Sequence, residues 1–189
     1  MRGFLGGFAA ALVVLALLFF LAVKLGGLPA RADARPWPGE RWIARTALNA
    51  TIAREEPQPP YPYSPAPDSE IANGATLYVQ NCAVCHGTAH TTPNAIARGM
   101  SPIRPPQFEK NPVDDDPEGM TYWKIEHGIR FTGMPAFSPA LDERSIWALT
   151  YFLKRTPKDL PPAARAIWED PSHVAPPTPM PALPSRPPR

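Results

Sequence analysis

The chain has 189 residues, a formal net charge of +2 at pH 7 and 28 prolines. This length allows one ordinary domain with a core of its own. The near-neutral charge argues against a nucleic-acid partner, because such binding needs a clustered Lys/Arg face.

The first predicted element is an apolar helix. Phe4 to Val23 are twenty consecutive residues without a charge, enough to cross a bilayer. A secretory signal is the alternative, since A-x-A motifs at 30–32 and 32–34 have the form of a cleavage site. The apolar run exceeds the usual signal length of about 7 to 15 residues. We therefore predict an uncleaved membrane anchor.

Prolines divide the rest of the chain. They concentrate in the stretches 57–67 and 157–188, which predicts an extended linker and an extended tail without packed elements. The first stretch is interpreted as a stiff spacer that holds the following domain away from its anchor. The predicted division is an anchor at 1–28, a spacer with a short helix and a Pro-rich linker at 29–67, a principal domain at 68–156, and a Pro-rich tail at 157–189.

Four further helices are predicted in chain order. The first, from Glu40 to Glu55, has a modest apolar stripe. It is interpreted as a spacer helix, and the alternatives are that it packs on the domain or lies along the lipid headgroups. Asp116-Pro117 predicts an N-cap with proline at the first helical position, and Asp142 predicts another cap. No strand pattern accompanies these helices, so the fold class is all-α. The three helices of the domain are predicted from Asp68 to Asn81, from Asp116-Pro117 to His127, and from Asp142 to Arg155.

The motif Cys82-Ala83-Val84-Cys85-His86 has the C-x-x-C-H pattern of c-type haem attachment. On one helical turn both thiols face the same way, so each can add to one haem vinyl group. His86 would then be the proximal iron ligand, with its other ring N–H donated to a nearby carbonyl. The sequence therefore predicts one covalently bound haem c.

The cysteine pair has three other interpretations: a thioredoxin-like dithiol, a zinc site and an incidental pair. A dithiol site needs a βαβ context, and structural zinc needs two further ligands at matching spacing. The other histidines, His90, His127 and His173, supply no second compact pair. Haem remains the favoured prediction.

Residues 68–155 resemble a class I c-type cytochrome domain, of the small type found in cbb-type oxidase c subunits and related membrane-bound cytochromes. The matching pieces are 74–78 leading into the haem motif, 128–137 around Gly133-Met134-Pro135, and 146–153. The resemblance implies three to four helices around one covalent haem, preceded here by the transmembrane helix. It also implies that the first and last helices of the domain cross at a small residue, which Gly74 matches. Tyr78, Trp147 and Tyr151 are predicted core aromatics around that crossing.

Met134 is the predicted sixth iron ligand. It follows Gly133, which allows close backbone approach, precedes the stiffening Pro135, and matches the ligand position of the family. Met100, in another loop, and a histidine remain alternatives. A nearby carbonyl that is not specified is expected to accept from His86. Residues predicted to line one haem face are Pro102, Pro105, Pro106 and Phe108.

His/Met coordination fills the iron and leaves no position for a small-molecule substrate. The predicted function is therefore single-electron transfer by a carrier that is not itself an enzyme, in a respiratory or dehydrogenase chain. The expected partners are the membrane and a redox protein, which would be an oxidase, a dehydrogenase or a soluble cytochrome. The alternative is a haem subunit of a redox enzyme, or a gas or redox sensor, with a labile sixth ligand.

The predicted location is the inner membrane, with a single pass and the haem domain on the periplasmic side. Only Arg2 precedes the apolar run, whereas Lys24, Arg31 and Arg35 follow it, so the positive-inside rule alone favours the opposite orientation. The resemblance overrides this small difference, because it implies haem attachment on the outer face.

Overall fold

The computed structural model describes residues 2–27, 31, 34–100 and 103–176. All regular elements within these ranges are helical, which confirms the predicted all-α class. They are α1 (Arg2–Lys24), α2 (Glu40–Glu55), α3 (Asp68–Asn81), α4 (Ala83–His86), α5 (Ala95–Gly99), α6 (Glu118–His127), α7 (Glu143–Arg155), α8 (Pro162–Glu169) and a 3₁₀ turn (Pro171–His173).

Helix α1 stands apart from the packed part of the molecule. Its segment Gly3–Lys24 is long and apolar enough to cross a bilayer, and its side chains are exposed. Among the described residues it is the one helix that meets these criteria. The predicted apolar helix over Phe4 to Val23 is confirmed, whereas the predicted cleavage motifs lie mostly outside the described residues.

The domain is built on the crossing of α3 and α7. Gly74 lies at the contact, where an added Cβ would clash with the Ala148 carbonyl and lie 2.9 Å from the Phe152 Cβ. The missing side chain lets the two helix backbones approach closely. The predicted crossing at Gly74 and the predicted cap at Asp142, whose side chain accepts from the Ser145 N–H at 2.8 Å, are both observed.

Aromatic side chains fill the space beside this crossing. Tyr78 and Trp147 are 0% and 1% exposed, and Tyr151 is also buried, as predicted. Trp147 stacks between Tyr122 of α6 and Tyr151, with ring centroids 4.4 and 5.6 Å away. Buried aromatic pairs of this kind stabilise a small core beyond their area.

Helix α6 begins one residue later than predicted. Pro117 is the N-cap, with its carbonyl accepting from the Thr121 N–H at 3.2 Å. The Asp116 carboxylate does not cap the helix and instead accepts from Lys124 Nζ at 2.9 Å. The predicted cap at Asp116 is therefore wrong by one position, and the predicted end before Gly128 is confirmed.

The segment 57–67 packs along the domain. Ile52, near the end of α2, is fully buried, and Pro57 contacts Gly119 of α6 through its carbonyl. The Tyr151 hydroxyl donates to the Pro62 carbonyl at 2.6 Å. The prediction of an extended linker without packing is wrong for this segment, because its carbonyls and apolar side chains contact the core. That the segment holds the domain away from its anchor stays a prediction.

The predicted tail also contains a packed element. Helix α8 buries Ala164 and Trp168, and the Trp168 ring lies 5.5 Å from Tyr78 and 6.0 Å from Phe152. The prediction of an extended tail from residue 157 is therefore wrong as far as Glu169. High proline content concealed the helix, although Pro162 occupies a position in the first turn that helices accept. Residues 177–189 lie outside the described residues.

Candidate haem-attachment site

One helical turn brings the three residues of the attachment motif together. The Cys85 and His86 N–H groups donate to the Cys82 carbonyl at 3.0 and 2.9 Å, and α4 covers Ala83–His86. Both cysteines are free thiols and half-buried. The predicted arrangement of two thiols and an imidazole on one turn is therefore present.

The His86 ring is fixed on two sides. Its Nδ1 lies 2.9 Å from the Pro106 carbonyl oxygen, and its plane stacks on Phe108 at 4.7 Å between centroids with an interplanar angle of 9°. Because a carbonyl only accepts, Nδ1 carries the hydrogen and Nε2 keeps its lone pair. Burial lowers the pKa of His86, while the Pro106 hydrogen bond opposes that shift. The neutral ring thus has one nitrogen ready to bind a metal.

Three carbonyls of the attachment turn are held by side chains from elsewhere in the fold. The Asn94 amide donates to Val84, the Gln107 amide donates to Cys85 at 3.0 Å, and the Tyr78 hydroxyl donates to Gly87 at 2.6 Å. These bonds fix the turn before anything binds to it. Sequence reasoning missed the roles of Asn94 and Gln107, because a loop amide gives no periodic signal.

Gly87 closes the turn in a conformation that favours glycine. Its φ is 70°, and an added Cβ would lie 2.5 Å from Thr91 Oγ1 and 2.9 Å from Gln107 Oε1. A side chain here would be strained and would also displace Gln107 from the Cys85 carbonyl. The glycine after His86 is therefore part of the attachment site.

The two thiols lie in a helical and partly buried setting. Burial, and next the neighbouring Cys85, raise the pKa of Cys82 to about 12. Burial also raises the pKa of Tyr78 well above its usual range, with Cys82 and Cys85 adding to the effect. A thioredoxin-like site needs a βαβ context, and all regular elements among the described residues are helical, which argues against that interpretation.

The predicted sixth ligand lies on a hydrogen-bonded loop after α6. The Met134 N–H donates to Thr132 Oγ1 at 3.1 Å, and its carbonyl accepts from the Ile129 N–H at 3.2 Å. Gly128 has a φ of 65°, and an added Cβ there would lie 2.5 Å from the Pro135 carbonyl carbon. Met134 itself is partly buried against the core. The loop thus fixes the backbone of Met134.

The donor set fits a covalently attached haem. It offers two thiols on one turn, an imidazole with its second nitrogen already hydrogen-bonded, and a thioether on a separate loop. Among the described residues, no group of three or more His, Cys, Asp or Glu side chains is placed to hold a metal ion. A structural zinc site needs four such ligands, so the described site does not suit zinc.

Of the residues predicted to line the haem, three are described. Pro106 supplies the carbonyl for His86, which the sequence did not single out among its neighbours, and Phe108 stacks on the His86 ring. The Pro105 carbonyl accepts from Gln107 Nε2 at 3.2 Å. Pro102 lies outside the described residues.

Comparison with known proteins points to the same chemistry. Residues 69–153 match the model of the family described as cytochrome c oxidase, cbb3-type, subunit III. The cbb3-type cytochrome c oxidase subunit CcoP of Azospirillum sp. (strain B510) is 32% identical over 85 residues. That alignment covers 44% of this chain and 28% of the relative's length. No solved structure gives a significant match.

These matches confirm the predicted resemblance to a membrane-anchored c-type cytochrome. The matched region runs from α3 to α7 and contains both the attachment turn and the Met134 loop. Together with the helical structure, it confirms the predicted fold class, an all-α cytochrome c domain preceded, among the described residues, by one helix long and apolar enough to cross a membrane.

Proposed function

We propose that this chain is a membrane-tethered cytochrome that transfers single electrons through one covalently bound haem c. Cys82 and Cys85 form the two thioether bonds, and His86 and Met134 bind the iron. The observation that carries the proposal is the His86 ring, hydrogen-bonded to Pro106 at Nδ1 on the same turn as two free thiols. The two cysteines among these 189 residues form one attachment motif, which supports the proposed count of one haem for this chain.

Each residue has a separate task in this function. The bound haem supplies a one-electron couple that needs no proton or substrate. His86 gives the iron a strong and fixed nitrogen ligand. Met134 favours the reduced state and fills the remaining position, so the potential is relatively high. Phe108, 7% exposed and stacked on His86, keeps water from the proximal side.

The hydrogen-bonded Met134 loop supports an electron carrier over the alternative of a sensor or enzyme. A sensor or enzyme needs a ligand that leaves easily. Both backbone groups of Met134 are hydrogen-bonded within the loop, so the thioether is not on a freely moving segment. The chain itself is then not catalytic, although it can serve as the electron-transfer subunit of a larger oxidoreductase.

The proposed setting is the inner membrane, with α1 as a single anchor and the haem domain on the periplasmic side. The apolar Gly3–Lys24 segment supports the anchor. The relative from Azospirillum is an oxidase subunit, which supports an oxidase as one redox partner. A dehydrogenase or a soluble cytochrome on the same side of the membrane is the other partner class.

The test is carbon monoxide binding to the reduced full chain, compared with its Met134→Ala variant. The wild type resists carbon monoxide and shows a sulfur-to-iron charge-transfer band when oxidised. The variant binds carbon monoxide, loses the band, and has a midpoint potential lowered by more than about 59 mV, a tenfold one-electron shift. Ready binding by the wild type would favour the sensor or enzyme. Met120→Ala, on α6, is the control and keeps the band.

A further inference from the structure

Met100 lies directly against the loop that contains Met134. A Cβ added to Gly133 would lie 2.6 Å from Met100 Cε and 2.8 Å from Met100 Sδ. These distances are shorter than real Cβ contacts. The backbone of Gly133 is not in the left-handed region, so its conformation does not require glycine. The end of the Met100 side chain therefore fills the space beside Gly133.

Met100 is connected to the attachment turn through α5. It follows α5, whose N-cap Asn94 accepts from the Ala97 N–H at 2.8 Å. The Asn94 amide also donates to the Val84 carbonyl inside the attachment motif. Ala97 is 1% exposed, which buries one side of this short helix. A continuous series of contacts thus runs from the attachment turn through α5 and Met100 to Gly133.

We propose that Met100 is a positioning residue for the sixth ligand, whose thioether braces Gly133 and keeps the Met134 loop closed against external ligands. The inference rests on the proposed function, because it assumes that Met134 binds the iron. Met100 acts through the loop backbone at Gly133, which lies between Met134 and Thr132, the residue whose hydroxyl accepts from the Met134 N–H.

The side-chain chemistry of methionine suits this role. An unbranched thioether fills an irregular gap between a loop and a short helix better than a branched side chain does. Removing it leaves Gly133 unsupported, so the loop opens more often and an external ligand replaces Met134 more readily. A methyl group added at Gly133 while Met100 is present overfills the same space, so the end of the Met100 side chain is displaced from its contact with the loop.

The test is an imidazole titration of the ferric full chain, with the charge-transfer band recorded in parallel. The variants are Met100→Ala, Met100→Leu, Gly133→Ala and the double variant Met100→Ala/Gly133→Ala. Each single change to alanine raises imidazole affinity by about tenfold and weakens the band. Met100→Leu keeps the bulk and stays near the wild type. In the double variant the new methyl group occupies vacated space, so imidazole affinity falls below that of Gly133→Ala.

Gly99→Ala, at a glycine with no atom within 4 Å of an added Cβ, controls for a general effect of substitution near α5. Wild-type imidazole affinity and an intact band in Met100→Ala would overturn the proposal, whether or not Gly133→Ala folds. Purely additive effects in the double variant would also overturn it. Absence of the band in the wild type is a different result, which refutes the proposed His/Met ligation.

Discussion

The Nδ1 of His86 and the carbonyl oxygen of Pro106 lie 2.9 Å apart, although twenty residues separate them in the chain. This bond fixes the ring tautomer and its orientation, and Phe108, two residues further on, covers the ring face. The segment from Pro106 to Phe108 thus supports the His86 ring, the proposed proximal ligand.

Replacement of Phe108 by alanine tests this support. The side chain is buried, so its loss should lower the free energy of unfolding by about 3 to 5 kcal/mol. Access of water to the His86 side should also stabilise ferric iron and lower the midpoint potential. Denaturant unfolding and a redox titration of the holoprotein measure both effects. Phe131→Ala is the matched control for stability, since Phe131 is 99% exposed and its loss should leave the free energy of unfolding nearly unchanged.

Gly74→Ala tests the crossing of α3 and α7. Its Cβ would clash with the Ala148 carbonyl, which belongs to a helix backbone and cannot move aside alone. We expect a loss of about 1 to 3 kcal/mol or more in the free energy of unfolding, together with a poor yield of holoprotein. Gly99→Ala offers the same substitution with open space around it. Equal stability of the two variants in urea unfolding would contradict the observed crossing.

Trp168→Ala tests whether α8 belongs to the domain. Trp168 is 2% exposed, and its Nε1 donates to Glu109 at 3.1 Å. Its carbonyl accepts from the Ala89 N–H at 3.2 Å, just after the attachment motif. Truncation to alanine should lower the free energy of unfolding by about 3 to 5 kcal/mol.

The control for Trp168 is Trp42→Ala on α2, where the ring is 71% exposed. Thermal unfolding followed by the haem absorption compares the two variants. If Trp168→Ala lowers the unfolding temperature no more than Trp42→Ala does, α8 is not packed on the domain.

The membrane anchor makes a prediction about the mature protein. If Gly3–Lys24 spans the bilayer, haem-stained protein stays in the membrane pellet after an alkaline carbonate wash, and its N-terminal peptide begins at or near Met1. Soluble haem protein with an N-terminus near residue 33 or 35 would show that the segment is a cleaved signal.

Local sequence signals predicted the parts of this fold that local physics determines. The uncharged run forms α1, and α7 begins after the predicted cap at Asp142. The predicted motif residues Cys82, Cys85 and His86 lie on one helical turn. The same signals failed where proline content dominated the pattern. Trp168 and Ala164 of α8, and Tyr61 in the linker, pack on the core despite their proline-rich surroundings.

The supporting residues of the site were the least predictable. The carbonyl that accepts from His86 comes from a loop far away in sequence. The contact of Met100 with Gly133 likewise joins two distant loops. Asn94 and Gln107 reach the attachment turn from such loops as well. Single residues in loops carry no periodicity, so only the folded chain reveals these partners.

Covalent haem attachment at one turn is the central claim, and peptide mass spectrometry tests it most directly. The full chain is produced in a host with c-type maturation, extracted with acidic acetone, digested and analysed. We predict that haem stays with the protein and that one peptide containing Cys82 and Cys85 has the added mass of a single haem. Haem that passes into the acetone, or an unmodified peptide with two free thiols, would contradict covalent attachment at Cys82 and Cys85.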